Sequence, residues 1–197
     1  MGKVLQMANQ KAGKVNVVEQ MRKLINKKSG MNVAHDLTKA NPTEVKQWIP
    51  TGSRWLDSII SRGKMAGIPV GKITEIAGLS ASGKSFMASQ IAANANKMGM
   101  TVVYFDAESS IDPEFLKRAG CDLDNLLYIQ AVSVEDVLEH IELMMSNSPE
   151  TQFVFIWDSI AATASKKDIE GDFNPQSSMA VKPRICESIS KTDYPVS

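Results

Sequence analysis

Residues 72–97 read KITEIAGLSASGKSFMASQIAANANK, and this stretch decides the fold. Within it, Gly78-Leu79-Ser80-Ala81-Ser82-Gly83-Lys84-Ser85 spells G-x-x-x-x-G-K-S, a phosphate-binding loop. Its glycines let the backbone curl so that N–H groups point inward at phosphate oxygens, and the N-terminus of the next helix adds partial positive charge. Lys72–Ala77 (KITEIA) is expected to be the strand that feeds the loop, with a helix from about Lys84 to Lys97 leaving it. Lys84 would reach the β- and γ-phosphates of a nucleotide and Ser85 would hold a divalent cation, so ATP and Mg2+ are the expected cofactors.

Downstream the pattern alternates. Thr101–Phe105 (TVVYF) is a near-continuous apolar run, as in a strand buried on both faces. Asp112 can cap a helix that starts at Pro113 and stops at Gly120. Leu126–Gln130 is a short strand, and Ser133, with Asp136 three residues on, caps a helix to about Asn147. Val134, Val137, Leu138, Ile141 and Met145 form the inner face of that helix. Phe153–Trp157 is another buried-type strand, ending in Asp158. Strands alternating with helices argue for an α/β fold, a parallel sheet with helices on both sides. Ligand sites in such sheets lie beyond the carboxyl ends of the strands. An acid placed like Asp158 helps hold Mg2+ in P-loop ATPases, and Glu108 can orient or deprotonate an attacking water. Asp106 reads as a solvated loop acid.

Upstream, Val17, Val18, Met21, Leu24 and Ile25 make one apolar stripe of a helix over residues 16–29. Asn16 can cap it, Lys27 and Lys28 suit its last turn, and Gly30 can end it. Residues 31–50, punctuated by Pro42 and Pro50, read as a linker, and a short helix follows from Trp55 to Ile60. The expected organisation is an arm helix and linker over 1–48 and a core over 49–197. Trp48 and Trp55 read as packing at the entrance to that core. The 197 residues are 43% hydrophobic and 22% charged, the composition of a globular rather than a disordered chain. Net charge is zero, yet residues 1–30 hold seven Lys/Arg against one Glu, and residues 101–175 hold four against fifteen Asp/Glu. Only the basic head hints at nucleic acid. Cys121 and Cys186 have no C-x-x-C spacing, and His35 and His140 stand without metal-ligand spacing, so neither a disulfide framework nor a zinc site is indicated. No apolar run approaches the ~20 residues a membrane helix needs. A reducing, cytoplasmic setting without membrane contact is therefore the expectation.

Together with Ile49–Gly52, the runs GIPVGKITEIAGLSASGKS (67–85), TVVYFDAESSIDPEFLKRAG (101–120), FVFIWDS (153–159) and KKDIEGDFNPQSSMAV (166–181) resemble the RecA recombinase family, with its phage UvsX-like members nearest. The resemblance covers roughly residues 45–191. It implies a RecA-like P-loop ATPase fold with an N-terminal helical arm. It further implies a DNA-dependent ATPase that coats single-stranded DNA as a homo-oligomeric filament and promotes pairing and strand exchange with double-stranded DNA. On that resemblance Gly78–Ser85, with Phe86 beside them, bind nucleotide. Glu108 and Lys84 are catalytic, Asp112 and Phe115 contact adenine, and Asp158 joins Ser85 at Mg2+. Residues 171–179 match the first DNA-binding loop, with Met179 as the apolar wedge between bases. Lys182 and Arg184 fall where cations meet phosphate, although such a basic turn is also an ordinary solvated face, and Pro183 would disturb a helix already running. The arm matches one that packs on a neighbouring subunit. Its stripe needs cover, from its own core, from another protomer or from nucleic acid.

Family members continue past ICESISKTDYPVS (185–197) into a sensor strand and a second DNA-binding loop, so the chain reads as C-terminally truncated. The resemblance places the missing strand between the P-loop strand and the Asp158 strand. The slot left there would cost ~1–3 kcal/mol per buried unpaired group, against a net stability of ~5–15 kcal/mol. Three readings stay open: a recombinase or a fragment of one, a nucleotide-binding module that joins filaments without turnover, and a P-loop ATPase acting on something other than DNA. The segment 169–179 speaks against the third.

Overall fold

The structure, a computed structural model, describes residues 17–39 and 43–170. Contacts divide the chain into two compact units, Met1–Glu44 and Val45–Ser197.

In the first unit residues 17–29 form helix α1, ended by Gly30 in a left-handed turn (φ +69°). Val17, Val18, Met21, Leu24 and Ile25 on its stripe are 47–68% exposed. The expected cap, Asn16, lies outside the described residues. The Asn26 side chain accepts from Ala34 N–H (2.7 Å) and donates to Ala34 C=O (3.0 Å), which folds the following segment back along the helix. Asp36 accepts from the hydroxyl and the N–H of Thr38 and pairs with Arg22 at 3.1 Å. The Thr38 bonds, with Arg22 assisting, hold its carboxyl down at about 2.

The second unit opens with β1 (Trp48–Ile49), which pairs antiparallel with β2 (Ile68–Pro69) around α2 (Arg54–Ile60). Its body is α3 (Lys84–Lys97), β3 (Thr101–Asp106), α4 (Pro113–Ala119), β4 (Leu126–Gln130), α5 (Val134–Asn147), β5 (Phe153–Asp158) and α6 (Lys166–Glu170). The boundaries of α3 and α4 fall where the sequence signals put them. The cap signals hold too: Asp112 accepts from Glu114 N–H, Gly120 turns left-handed (φ +95°), and Ser133 accepts from Asp136 N–H.

β4, β3 and β5 form a parallel sheet in the order β4-β3-β5. β3 is paired on both edges and covered on both faces, so Val102, Val103, Tyr104, Phe105 and Asp106 are wholly buried. Side chains alternate across a strand. Val102 and Tyr104 accordingly meet Ile91, Ala92, Ala93 and Leu116 from α3 and α4. Phe105 and Val103 meet Val137, Ile141 and Met144 of α5. α3 buries Ser89, Ala92, Ala93 and Ala95 beside Ile91, small residues that let the sheet and the end of α4 approach it closely. A turn over Met98–Met100 reverses the chain into β3. The 14 residues of α3 run about 21 Å and the six of β3 about 20 Å, so helix and strand, which pack on each other, match in length.

Several expectations are corrected. Residues 73–79 form no ladder, because no strand among the described residues stands beside them to accept their hydrogen bonds. β5 is half-buried rather than enclosed, since its outer edge has no described partner either. Trp48, the last residue of the expected linker, pairs with Pro69. Trp55 does not pack at the core's entrance: it is 85% exposed, on the outer face of α2.

Candidate nucleotide-binding and catalytic site

The phosphate loop curls through left-handed backbone at Ala81 (φ +57°) and Gly83 (φ +91°), the latter the N-cap of α3. At Gly78 the loop folds close on itself: a Cβ there would lie 2.8 Å from Ser82 Oγ, which would have to turn aside. Lys84 Nζ donates to the carbonyls of Gly78 (3.1 Å) and Leu79 (2.9 Å), which draws its ammonium over the loop. Ser85 sits half-buried in the first turn of α3.

Across the sheet ends stand three acids. Asp106 is not a solvated loop acid: it is wholly buried, the last residue of β3. Its Oδ1 accepts from Glu108 N–H, and its Oδ2 accepts from Ile111 N–H and from Tyr128 Oη, each at 3.0 Å. Those three donors replace water and pin the loop that carries Glu108. Asp158 ends β5 directly opposite Asp106. Its Oδ2 accepts from Tyr104 Oη at 3.0 Å. Burial, then the charge of Asp158, pushes the Tyr104 phenol far above its ordinary value, so it remains a donor throughout the physiological range. Burial, then the bond to Asp106, pushes the Tyr128 phenol the same way. Glu108 is exposed, and its Oε1 accepts from Ser159 Oγ at 3.2 Å. Ala107 N–H donates to Asp158 C=O at 2.9 Å. Two contacts thus join the chain after β3 to the end of β5.

The predicted adenine residues flank the same end. Phe115, in the first turn of α4, meets Phe86, in the first turn of α3, edge to face with ring centres 6.2 Å apart. Asp112 also has a structural task, capping α4 through Glu114 N–H (3.1 Å). An apolar cavity of about 310 Å³ between α4 and β4, lined by Ile111, Leu116 and Tyr128 among others, includes no residue of the phosphate loop.

Beyond β5 the chain is tied down by Trp157 Nε1 donating to Thr163 Oγ1 (2.7 Å) and by a parallel bridge between Ser133 and Ala164. Lys166 Nζ then meets Asp136 at 2.8 Å and its N–H donates to Glu135. α6 leads from there toward residue 171. Met179, Lys182 and Arg184 lie outside the described residues.

Sequence reasoning missed Tyr104, Tyr128 and Ser159. A tyrosine inside an apolar strand is a usable signal, since a buried phenol needs a partner. Ser159 gave only its place after Asp158.

The family model for the RecA N-terminal domain matches residues 16–192. The chain belongs to the RecA family. Its RecA relatives include Protein RecA of Aquifex pyrophilus, 37% identical over 163 residues, which are 80% of this chain and 45% of that protein. Protein RecA of Roseiflexus castenholzii is 39% identical over 149 residues, 75% of this chain and 40% of the relative. Protein RecA of Bifidobacterium breve is 34% identical over 162 residues, 82% and 39% of the two chains. The chain therefore spans less than half the length of these RecA proteins. The range matched by the RecA model includes each candidate residue from Gly78 to Arg184. Among the described residues no helix is long and apolar enough to cross a membrane.

Proposed function

We propose that this chain carries the nucleotide-handling part of a DNA-dependent ATPase of homologous recombination and repair. On this reading it binds single-stranded DNA as a filament of its own copies and pairs it with double-stranded DNA in the cytoplasm of a bacterial or phage-infected cell. The observation that carries it is the linkage of the Glu108 loop to the end of β5, Ser159 Oγ donating to Glu108 and Ala107 N–H to Asp158 C=O, on the sheet against which α3, with Lys84 at its start, is packed.

The donor set fits ATP and Mg2+. The close approach at Gly78 and the left-handed turns make a cradle of backbone N–H groups, and Lys84 would exchange two loop carbonyls for β- and γ-phosphate oxygens. The Ser85 hydroxyl and the Asp158 carboxylate are hard oxygen donors of the kind Mg2+ takes alongside phosphate. Bound there, Mg2+ would offset the charge of the phosphate oxygens. Glu108, with Oε1 held by Ser159, keeps Oε2 to orient a water and accept its proton. Phe115, backed by Phe86, supplies an apolar wall for adenine, with Asp112 beside it.

The rest of the reading concerns DNA and subunits. Met179, Lys182 and Arg184 would meet DNA from the loop that α6 introduces, Met179 between bases and the two cations at phosphates. The exposed stripe of α1 supports the arm docking on a neighbouring copy. The quoted sequence runs support a place near the phage UvsX-like recombinases. A second reading, nucleotide binding without turnover, is favoured by the absence of a ladder at residues 73–79.

ATP hydrolysis by the purified chain, with and without single-stranded DNA, decides between them. Stimulated turnover that disappears in Glu108→Gln, while nucleotide binding persists, supports the ATPase. Binding that needs Lys84 but yields no turnover supports the module. ATP binding unaffected by Lys84→Ala defeats both.

A further inference from the structure

β3 and β4 carry tyrosines at the same level of the sheet. Tyr128 and Tyr104 stand opposite each other, and Ile156 of β5 completes the row. Two residues on, the row is Gln130, Asp106 and Asp158. Strand residues two apart share a face and lie about 6.6 Å apart along the strand, a step that a phenol can span. Each tyrosine makes that step diagonally onto the acid of the next strand, Tyr128 to Asp106 Oδ2 and Tyr104 to Asp158 Oδ2, both at 3.0 Å. The two acids then differ. Asp106 has both oxygens occupied by donors, whereas Asp158 Oδ1 accepts no hydrogen bond among the described residues.

We propose that Tyr104 is a positioning residue for the metal-side acid: by holding Asp158 Oδ2 it fixes the rotation of the carboxylate and reserves Oδ1 for the Mg2+ side of the site. This rests on the proposed role of Asp158. The Tyr104 ring is wholly buried against the α3 side of the sheet, so its hydroxyl is a fixed donor rather than one that must be ordered when ligand arrives. A carboxylate free to turn would have to be immobilised on binding. Outer partners that orient a ligating side chain commonly change metal affinity by ~10–100-fold when removed.

Tyr104→Phe removes one oxygen and keeps the ring. Tyr128→Phe removes the sister bond on the same sheet face and serves as the control. In the full chain, ADP binding is titrated with Mg2+, and Mn2+ is titrated in the presence of ADP with spin-resonance detection of the free ion. The expected result is a rise of about tenfold or more in the metal concentration at half-saturation for Tyr104→Phe. ADP binding in chelator should stay unchanged, and so should the metal dependence of Tyr128→Phe. Wild-type metal dependence in Tyr104→Phe, or an equal shift in both variants, overturns the proposal. Asp158→Ala separates the two levels of inference. A metal requirement unchanged in Asp158→Ala removes the acid from the site and the tyrosine with it. A shift there alone removes only the tyrosine. Tyr104→Phe added to Asp158→Ala should move the metal dependence no further, and a further shift would show that Tyr104 acts by another route.

Discussion

The end of β3 and the approach to the phosphate loop are the two halves of one candidate site, and they are built in opposite ways. At the end of β3, strands flank Asp106 on both sides and three donors saturate its carboxylate. Residues 73–79, which feed the loop, have no ladder, and Ile73 is 69% exposed. The acids at the strand ends, Asp106 and Asp158, are therefore held by long-range register. The phosphate loop is held chiefly from its far side, through the packing of α3 on β3 and β5. A site can thus be rigid in its acids and still depend on one helix for its phosphate grip.

Amide hydrogen exchange probes that contrast most strongly. Amides of β3 should open only with global unfolding, at ~5–15 kcal/mol, while residues 73–79, whose amides donate no hydrogen bond within the described residues, should exchange with almost no protection. Comparable protection in the two segments would erase the contrast.

Mutation gives the next largest effect. Asp106→Ala strands two backbone N–H groups and a phenol and should cost about 3 kcal/mol or more in urea unfolding. Ile73→Ala, at an exposed and unpaired position, should stay within about 0.5 kcal/mol. A large loss at Ile73 would mean that the segment is packed in solution.

The smallest effect concerns the ion pair that ties the start of α6 to α5. Asp136 lies below its ordinary value of 3.8, held there by hydrogen bonds from Lys166 and then Ser133. A carboxylate lowered in the folded state stabilises above its ordinary pKa, and the contribution fades as pH falls through the lowered value. Thermal melting should therefore show wild type and Lys166→Ala converging as pH drops below about 4. A constant gap between them would remove the ion pair from the account. Lys166 itself is raised, chiefly by the same bond, so its share is present below its ordinary 10.5 and is lost at higher pH.

Local signals made most of the fold legible. The G-x-x-x-x-G-K-S loop fixed the start of α3, Asp112-Pro113 and Gly120 bracketed α4, and the apolar run at 101–105 identified the central strand. What stayed hidden depends on partners distant in sequence. KITEIA has the composition of a strand, but a ladder needs a neighbour. Asp106 could be told from a loop acid only once Tyr128, 22 residues away, was known to reach it. The link from Tyr104 to Asp158 spans 54 residues and follows from register alone. Trp55 misled because size and apolarity imply burial only where something covers the helix face.

The small residues of α3 have a consequence for how this site can change over time. Ser89, Ala92, Ala93 and Ala95 act as a spacer whose thickness is set by carbon atoms that are not there. How closely α3, with Lys84 and Ser85 in its first turn, can settle on its neighbours therefore depends on positions one to three turns further along the helix. A lineage that enlarged one of them would detune its phosphate grip while every residue of the motif remained in place, and inspection of the motif alone would never reveal the fault.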